Sequence, residues 1–179
     1  VGLAGSLEAP EGVAVLGTWA AVASTAFNRY LRQSKAVEAR NTVRAIARGA
    51  IAAYERETGP AGGHRLCASS TPAPAEVPRG EAVDASAGFG TGNLEAGWRC
   101  LKFDMSGTAR FRYVYRQGGG YLGPKHGGKD PGPDGFEISA EGDLDGDGTT
   151  SLYILTGAVD PKTNSVVLEP DLFVVNDLE

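Results

Sequence analysis

Between Glu11 and Gly59 the chain contains no proline, and the pair Gly59-Pro60 then closes that stretch. The residues inside it, Val13 to Thr58, are rich in Ala, Arg, Glu, Leu and Gln, which lose little on entering a helix. Phe27, Tyr30, Leu31, Val37, Val43, Ile46, Ala47, Ala50, Ile51 and Tyr54 fall mostly three, four or seven apart, which places one apolar stripe along one side of a helix. The first part, Val13–Phe27, is apolar or small on nearly every side and expects burial all round. A helix over the whole stretch would be about 70 Å long at 1.5 Å per residue. A domain of this size is only about 30–35 Å across. Half of such a helix must protrude or pack against something outside its own chain.

The remainder reads differently. Residues 59–97 form a long connection without period, with breakers such as Ser69-Ser70-Thr71-Pro72-Ala73-Pro74 and Gly88-Phe89-Gly90-Thr91-Gly92. From Trp98 the period changes to two. Strands are expected at Trp98–Phe103, Arg110–Arg116, Phe136–Ala140 and Ser151–Thr156, with short extended pieces at Val166–Leu168 and Leu172–Val175. A glycine-rich loop beginning at Gly118-Gly119-Gly120 separates the second strand from the third. One helix followed by strands joined through short turns predicts an α+β fold, a long N-terminal helix laid on a small antiparallel sheet. The expected division is an assembly helix with its leader, 1–58, and a β-sheet domain, 59–179.

Charge is distributed unevenly over the 179 residues, whose net charge is −5. Arg29 to Arg48 holds six basic residues against one acid, Glu38, whereas Asp130 to Glu179 holds twelve acids against one base, Lys162. The two halves are therefore expected either to attract, within or between chains, or to form two solvated faces. The row Arg40, Arg44, Arg48 reads first as a solvated face and second as a contact for DNA or an acidic neighbour subunit, and no specific nucleic-acid partner is expected. Cys67 and Cys100 suit a disulfide closing a loop of about 33 residues, worth about 3–4 kcal/mol, and imply an oxidising, extracytoplasmic setting. Two unrelated buried thiols are the alternative. Near the N-terminus the apolar run Val13–Ala23 is only eleven residues long and is preceded by Glu8, Pro10 and Glu11. It fits neither a standard signal peptide nor an ordinary membrane anchor.

Asp143-Leu144-Asp145-Gly146-Asp147-Gly148 carries carboxylates at alternate positions and a glycine for the turn, the opening half of a calcium loop. Ile154 stands where a helix-loop-helix calcium site has its bidentate acid. Further ligands would come from Thr149, Ser151, Glu141 or Asp130. The competing reading is an Asp/Gly turn between two strands with no ion. His64 and His126 both lie in glycine-rich loops without a recognisable nucleophile, and no enzymatic activity is expected.

The block Ala20-Ala21-Val22-Ala23 and then Ala26 to Arg40, with its Ser34-Lys35-Ala36-Val37-Glu38-Ala39 run, resembles the helix of type IV pilins and pseudopilins just past its membrane-spanning part. Phe136–Ile154 with its aspartate loop, and the closing Phe173-Val174-Val175-Asn176-Asp177-Leu178-Glu179, resemble a subset of pilin-like proteins. The resemblance implies a filament subunit whose apolar helix packs in the filament centre, with other pilins as partners and an inner-membrane stage before assembly. Aligned without gaps, Gly17 takes the place of the family's helix glycine, and Glu8 that of the glutamate thought to pair with a neighbour's N-terminal amine. Leu3 and Ala4 replace the family's Gly and Phe, Thr25 replaces its helix proline, and Pro10 and Glu11 interrupt the apolar run. The expected function is a structural subunit of a pilus or pseudopilus-like filament at the cell surface, its loops 59–97 and 117–135 forming the variable exterior. The alternative is a soluble extracytoplasmic calcium-binding or adhesive module that does not polymerise.

Overall fold

The computed structural model describes residues 12–56 and 63–179, with side chains from Arg29 onward and that of Phe27. Glu8 lies outside the described residues. The first element is α1, Gly12–Glu55. Its sheet-facing side is lined by Ala36, Ala39, Val43, Ile46, Ala47, Ala50, Ala53 and Tyr54, each at most 5% exposed. Small residues at five of these eight positions let the helix axis approach the sheet closely. At Gly49 even a methyl group is excluded, because a Cβ there would lie 2.6 Å from the carbonyl oxygen of Leu101.

The apolar stripe read from the sequence is two stripes. Phe27, Tyr30, Leu31 and Val37 do not join the core side; they are 60%, 66%, 41% and 51% exposed. At about 100° per residue, Tyr30 and Val37 fall opposite Ala39 and Val43. Spacings of three, four and seven were satisfied within each set, which concealed the change of face between them.

After α1 come β1 (Val83–Asp84), α2 (Ser86–Phe89), α3 (Gly97–Leu101), β2 (Thr108–Ala109), β3 (Arg112–Gln117), a 3-10 turn (Gly123–His126), β4 (Gly135–Gly142), β5 (Ser151–Asp160), β6 (Ser165–Leu168) and β7 (Phe173–Val175). The strand expected at Trp98–Phe103 is α3 instead, entered through Gly97 at φ +71° and ended by Lys102 in the left-handed region. A short apolar run does not distinguish helix from strand by period. Here tertiary partners decide: Trp98 is fully buried, its Nε1–H donates to Thr71 O at 2.9 Å, and Cys100 forms the disulfide.

The main sheet is antiparallel, with order β3-β4-β5-β6. β7 pairs with the first half of β5 at Leu152–Ile154, and β6 pairs with its second half at Gly157–Asp160. Tyr113, Tyr115, Phe136, Ile138, Ala140, Tyr153 and Leu155 form a core with the alanine side of α1. On the opposite face, Arg112, Arg116, Glu137, Ser139 and Glu141 face one another across β3 and β4, joined by Arg112–Glu141 and Arg116–Glu137 ion pairs and an Arg116–Ser139 hydrogen bond. Disulfide Cys67–Cys100 ties the start of the long connection to α3, with both sulfur-bearing residues at most 4% exposed.

Side chains of α1 lock the helix to the sheet. Glu38 Oε1 accepts the Arg110 backbone N–H at 3.1 Å and the Tyr113 hydroxyl at 3.4 Å, while Arg110 Nη1 reaches Oε2. Arg40 Nη2 spans both oxygens of Asp177 at 2.9 and 3.0 Å, and its guanidinium lies 5.4 Å from the Tyr153 ring centre. The Tyr153 hydroxyl donates to Asp177 at 2.8 Å. Burial, together with the Asp177 carboxylate, pushes the Tyr153 phenol up to about 12, and burial raises Tyr113 and Tyr115 as well. The unfolded chain ionises its tyrosines near 10.0 while the folded protein holds them neutral. The contribution of Tyr153 to stability is complete below that value and is lost as pH rises toward about 12, and Tyr113 and Tyr115 act in the same direction. Melting temperature is expected to fall over this alkaline window, and Tyr153→Phe to make the fall shallower; an unchanged melting curve would contradict the packing described.

Candidate functional site

Two features stand out from this framework: the outward face of α1 and the aspartate loop between β4 and β5. The outward face changes character along its length. Phe27, Tyr30, Leu31 and Val37 make its early part apolar, and Arg44 and Arg48 make its later part cationic, all of them exposed. Arg29 is exposed as well, while the other three cations of the basic stretch turn inward to the acidic half of the same chain. Arg32 Nη1 meets Asp145 Oδ2 at 3.0 Å, Arg40 meets Asp177, and Lys35 Nζ reaches the Leu144 carbonyl at 3.4 Å. Part of the charge asymmetry is thus satisfied within one chain. With both partners of the Arg32 and Arg40 pairs a third to a half exposed, each pair is worth about 0–1 kcal/mol.

The aspartate loop is held from inside. Asp143 is 1% exposed, and its two oxygens accept the N–H groups of Gly146 at 2.6 Å and Gly148 at 2.9 Å. Asp145 accepts the Asp147 N–H, and Asp147 accepts the Thr149 N–H. The loop also docks on the long connection: Gly80 N–H donates to Asp143 O at 2.7 Å, and Asp143 N–H donates to Pro78 O at 3.1 Å. This is the hydrogen bonding of an Asp/Gly turn. The same folding brings the carboxylates of Asp143, Asp145 and Asp147 within 4.8 Å of one another. A carboxylate has about four acceptor positions, so each oxygen engaged by one N–H retains a lone pair. The set is all hard oxygen, which suits calcium or magnesium rather than a transition metal.

The accessory ligands are less ready than the sequence suggests. Ile154 is buried in β5, the Ser151 hydroxyl is spent on Gly142 O at 3.0 Å, Glu141 is paired with Arg112, and Asp130 caps the Gly132 N–H. Thr149 lies two residues after Asp147 and is exposed. Arg32 already neutralises Asp145, so a cation arriving at the loop must compete with a guanidinium.

The two histidines are not brought together. His64 stacks on Tyr54 with ring centres 5.1 Å apart and places Nδ1 3.0 Å from the Tyr54 carbonyl oxygen. His126 ends the 3-10 turn and is exposed. Among the described residues, no helix is long and apolar enough to cross a membrane. The disulfide fits an oxidising compartment outside the cytoplasm. Sequence reading did not single out Glu137, a fully buried carboxylate that accepts the N–H groups of Leu122 and Gly123 at 2.7–2.9 Å and pairs with Arg116. It lies on the face of β4 away from α1, and the glycine-rich loop that covers it carried no signal of doing so. No family model, curated protein or solved structure matches the chain.

Proposed function

We propose that this chain is a structural subunit of a type IV pilus or pseudopilus-like filament at the cell surface, assembled through α1. The observation that carries the reading is the exposure of Phe27, Tyr30 and Leu31 together on one stretch of helix. Burying a large apolar side chain fully contributes about 1.5–3 kcal/mol, so three on one patch are a substantial drive to association. The partner is another copy of the chain or another pilin. Contacts between unlike patches on successive copies extend without closing and give a helical filament. The α+β globule with its antiparallel sheet on α1, and the disulfide suited to an extracytoplasmic setting, support the same reading. The docking charge Glu8 and an inner-membrane stage before assembly rest on the sequence resemblance alone.

Electron microscopy and sedimentation of the purified chain test the proposal. Filaments that pellet and show a regular axial repeat are the expected result. A persistent monomer at high concentration would favour the non-polymerising module.

A second property is favoured by the convergence of Asp143, Asp145 and Asp147: the loop takes up a calcium ion, in either the filament or the module. With few accessory ligands and Arg32 in competition, affinity is expected in the range of extracellular calcium modules, about 10⁻⁴–10⁻³ M. Calorimetric titration of the chain should give saturable heat that Asp145→Ala removes. Absence of heat from the parent protein would leave the loop as a plain turn.

A further inference from the structure

At the end of the globule where α1 finishes lies an open cleft of about 630 Å³. It is bounded by Tyr54 of α1, the segment His64–Ala68, the loop Asn93–Ala96, Gln117 at the end of β3, and the β5–β6 turn. That volume falls within the range of small-molecule sites, about 300–1,000 Å³. Neither the filament reading nor the aspartate loop uses it.

The lining selects among ligand classes. Leu66, Ala68 and Val159 supply apolar wall, but planar polar side chains interrupt it, so a lipid chain would strand polar groups against hydrocarbon. Arg65 is paired with Glu95 at 3.1 Å and Asp134 adds another acid, so no net positive field awaits a phosphate or sulfate. What remains is hydrogen-bonding capacity of both signs. Asn93 uses Oδ1 to accept the Glu95 and Ala96 N–H groups at 2.8 and 2.9 Å; its Nδ2 has no partner among the described residues. Gln117 donates through Nε2 to Pro133 O at 3.4 Å, and its Oε1 accepts no hydrogen bond among the described residues. His64 Nδ1 faces a carbonyl oxygen and must donate to it, which leaves Nε2 of the neutral ring an acceptor. Its imidazole, stacked on Tyr54, also adds a flat aromatic surface.

Donors and acceptors lining one cleft together with an aromatic plane match a ligand whose hydroxyls both donate and accept and whose ring presents C–H faces. We propose that this cleft binds a neutral oligosaccharide. The proposal is independent of polymerisation, and in a filament it would make the subunit a carrier of sugar-binding sites.

The test is an NMR titration of the full 179-residue chain with cellobiose, maltose and N,N′-diacetylchitobiose, each taken to tens of millimolar. Saturable shifts confined to His64–Ala68 and to the side-chain amides of Asn93 and Gln117 are expected for at least one sugar. Asn93→Asp keeps the Oδ1 acceptor that holds the loop and replaces the free amide donor by a charged carboxylate oxygen on an exposed residue, so the fold should be retained while affinity for a neutral sugar falls about tenfold or more. No saturable response to any of the three sugars overturns the proposal. Equal binding by Asn93→Asp overturns it too, as does saturation by a sulfated disaccharide alone. Any of these results leaves filament formation untouched.

Discussion

Replacing Tyr30 and Leu31 together by aspartate is expected to abolish filament growth while leaving the unfolding free energy of the globule within about 0.5 kcal/mol of the parent. Both side chains are largely exposed, at 66% and 41%, so little of the chain's own core is lost. In the proposed filament the same positions are covered by a neighbour, and two carboxylates there would be desolvated without partners. The contrast between intact folding and lost assembly is the informative result, read by circular dichroism melts alongside electron microscopy. Filaments of normal length from the double variant would remove the apolar patch from the assembly contact.

The largest effect on folding is expected at Glu137. Its carboxylate is fully buried, pairs with Arg116 at 3.3 Å and accepts the N–H groups of Leu122 and Gly123. Glu137→Ala leaves the half-buried Arg116 without its main counter-charge and two N–H donors without an acceptor. Breaking a buried pair from one side typically costs about 3–5 kcal/mol. Burial already lowers the Arg116 pKa, which Glu137 opposes, so the pair is a compensated burial of charge and not a surface bridge. Urea unfolding should show that loss, and amide exchange should show the segment Tyr121–His126 opening more readily than the sheet. A cost below about 1 kcal/mol would mean that water replaces the carboxylate with ease.

These two residues also mark where the sequence was readable. The α+β class, the strands around β3, β4 and β5, and the pairing of Cys67 with Cys100 followed from period, breakers and loop composition, because each of those signals is local. Tyr30 was misplaced, and the burial of Glu137 went unread, because burial is decided by what arrives from elsewhere in the chain. Tyr30 carried the right type and spacing for a core stripe, yet the sheet it would need begins to cover α1 only near Ala36. Glu137 carried the alternation of an outward residue, yet Leu122 and Gly123 close over it. Trp98 and Cys100 alternate like strand residues but were drawn into a helical turn by the Thr71 carbonyl and the disulfide. The aspartate loop was legible as a turn with converging acids. Its clasp to Arg32 and Lys35 was not, since those cations lie more than a hundred residues away in sequence.

The central proposal is that the outward face of α1 is an intersubunit surface. Its most direct test is a helical reconstruction by electron cryomicroscopy of assemblies grown from this chain. The account predicts α1 helices gathered about the axis, with Phe27, Tyr30 and Leu31 of each copy enclosed by others and the sheets outermost. Assemblies in which those side chains still face solvent, held together by sheet or loop contacts instead, would contradict it.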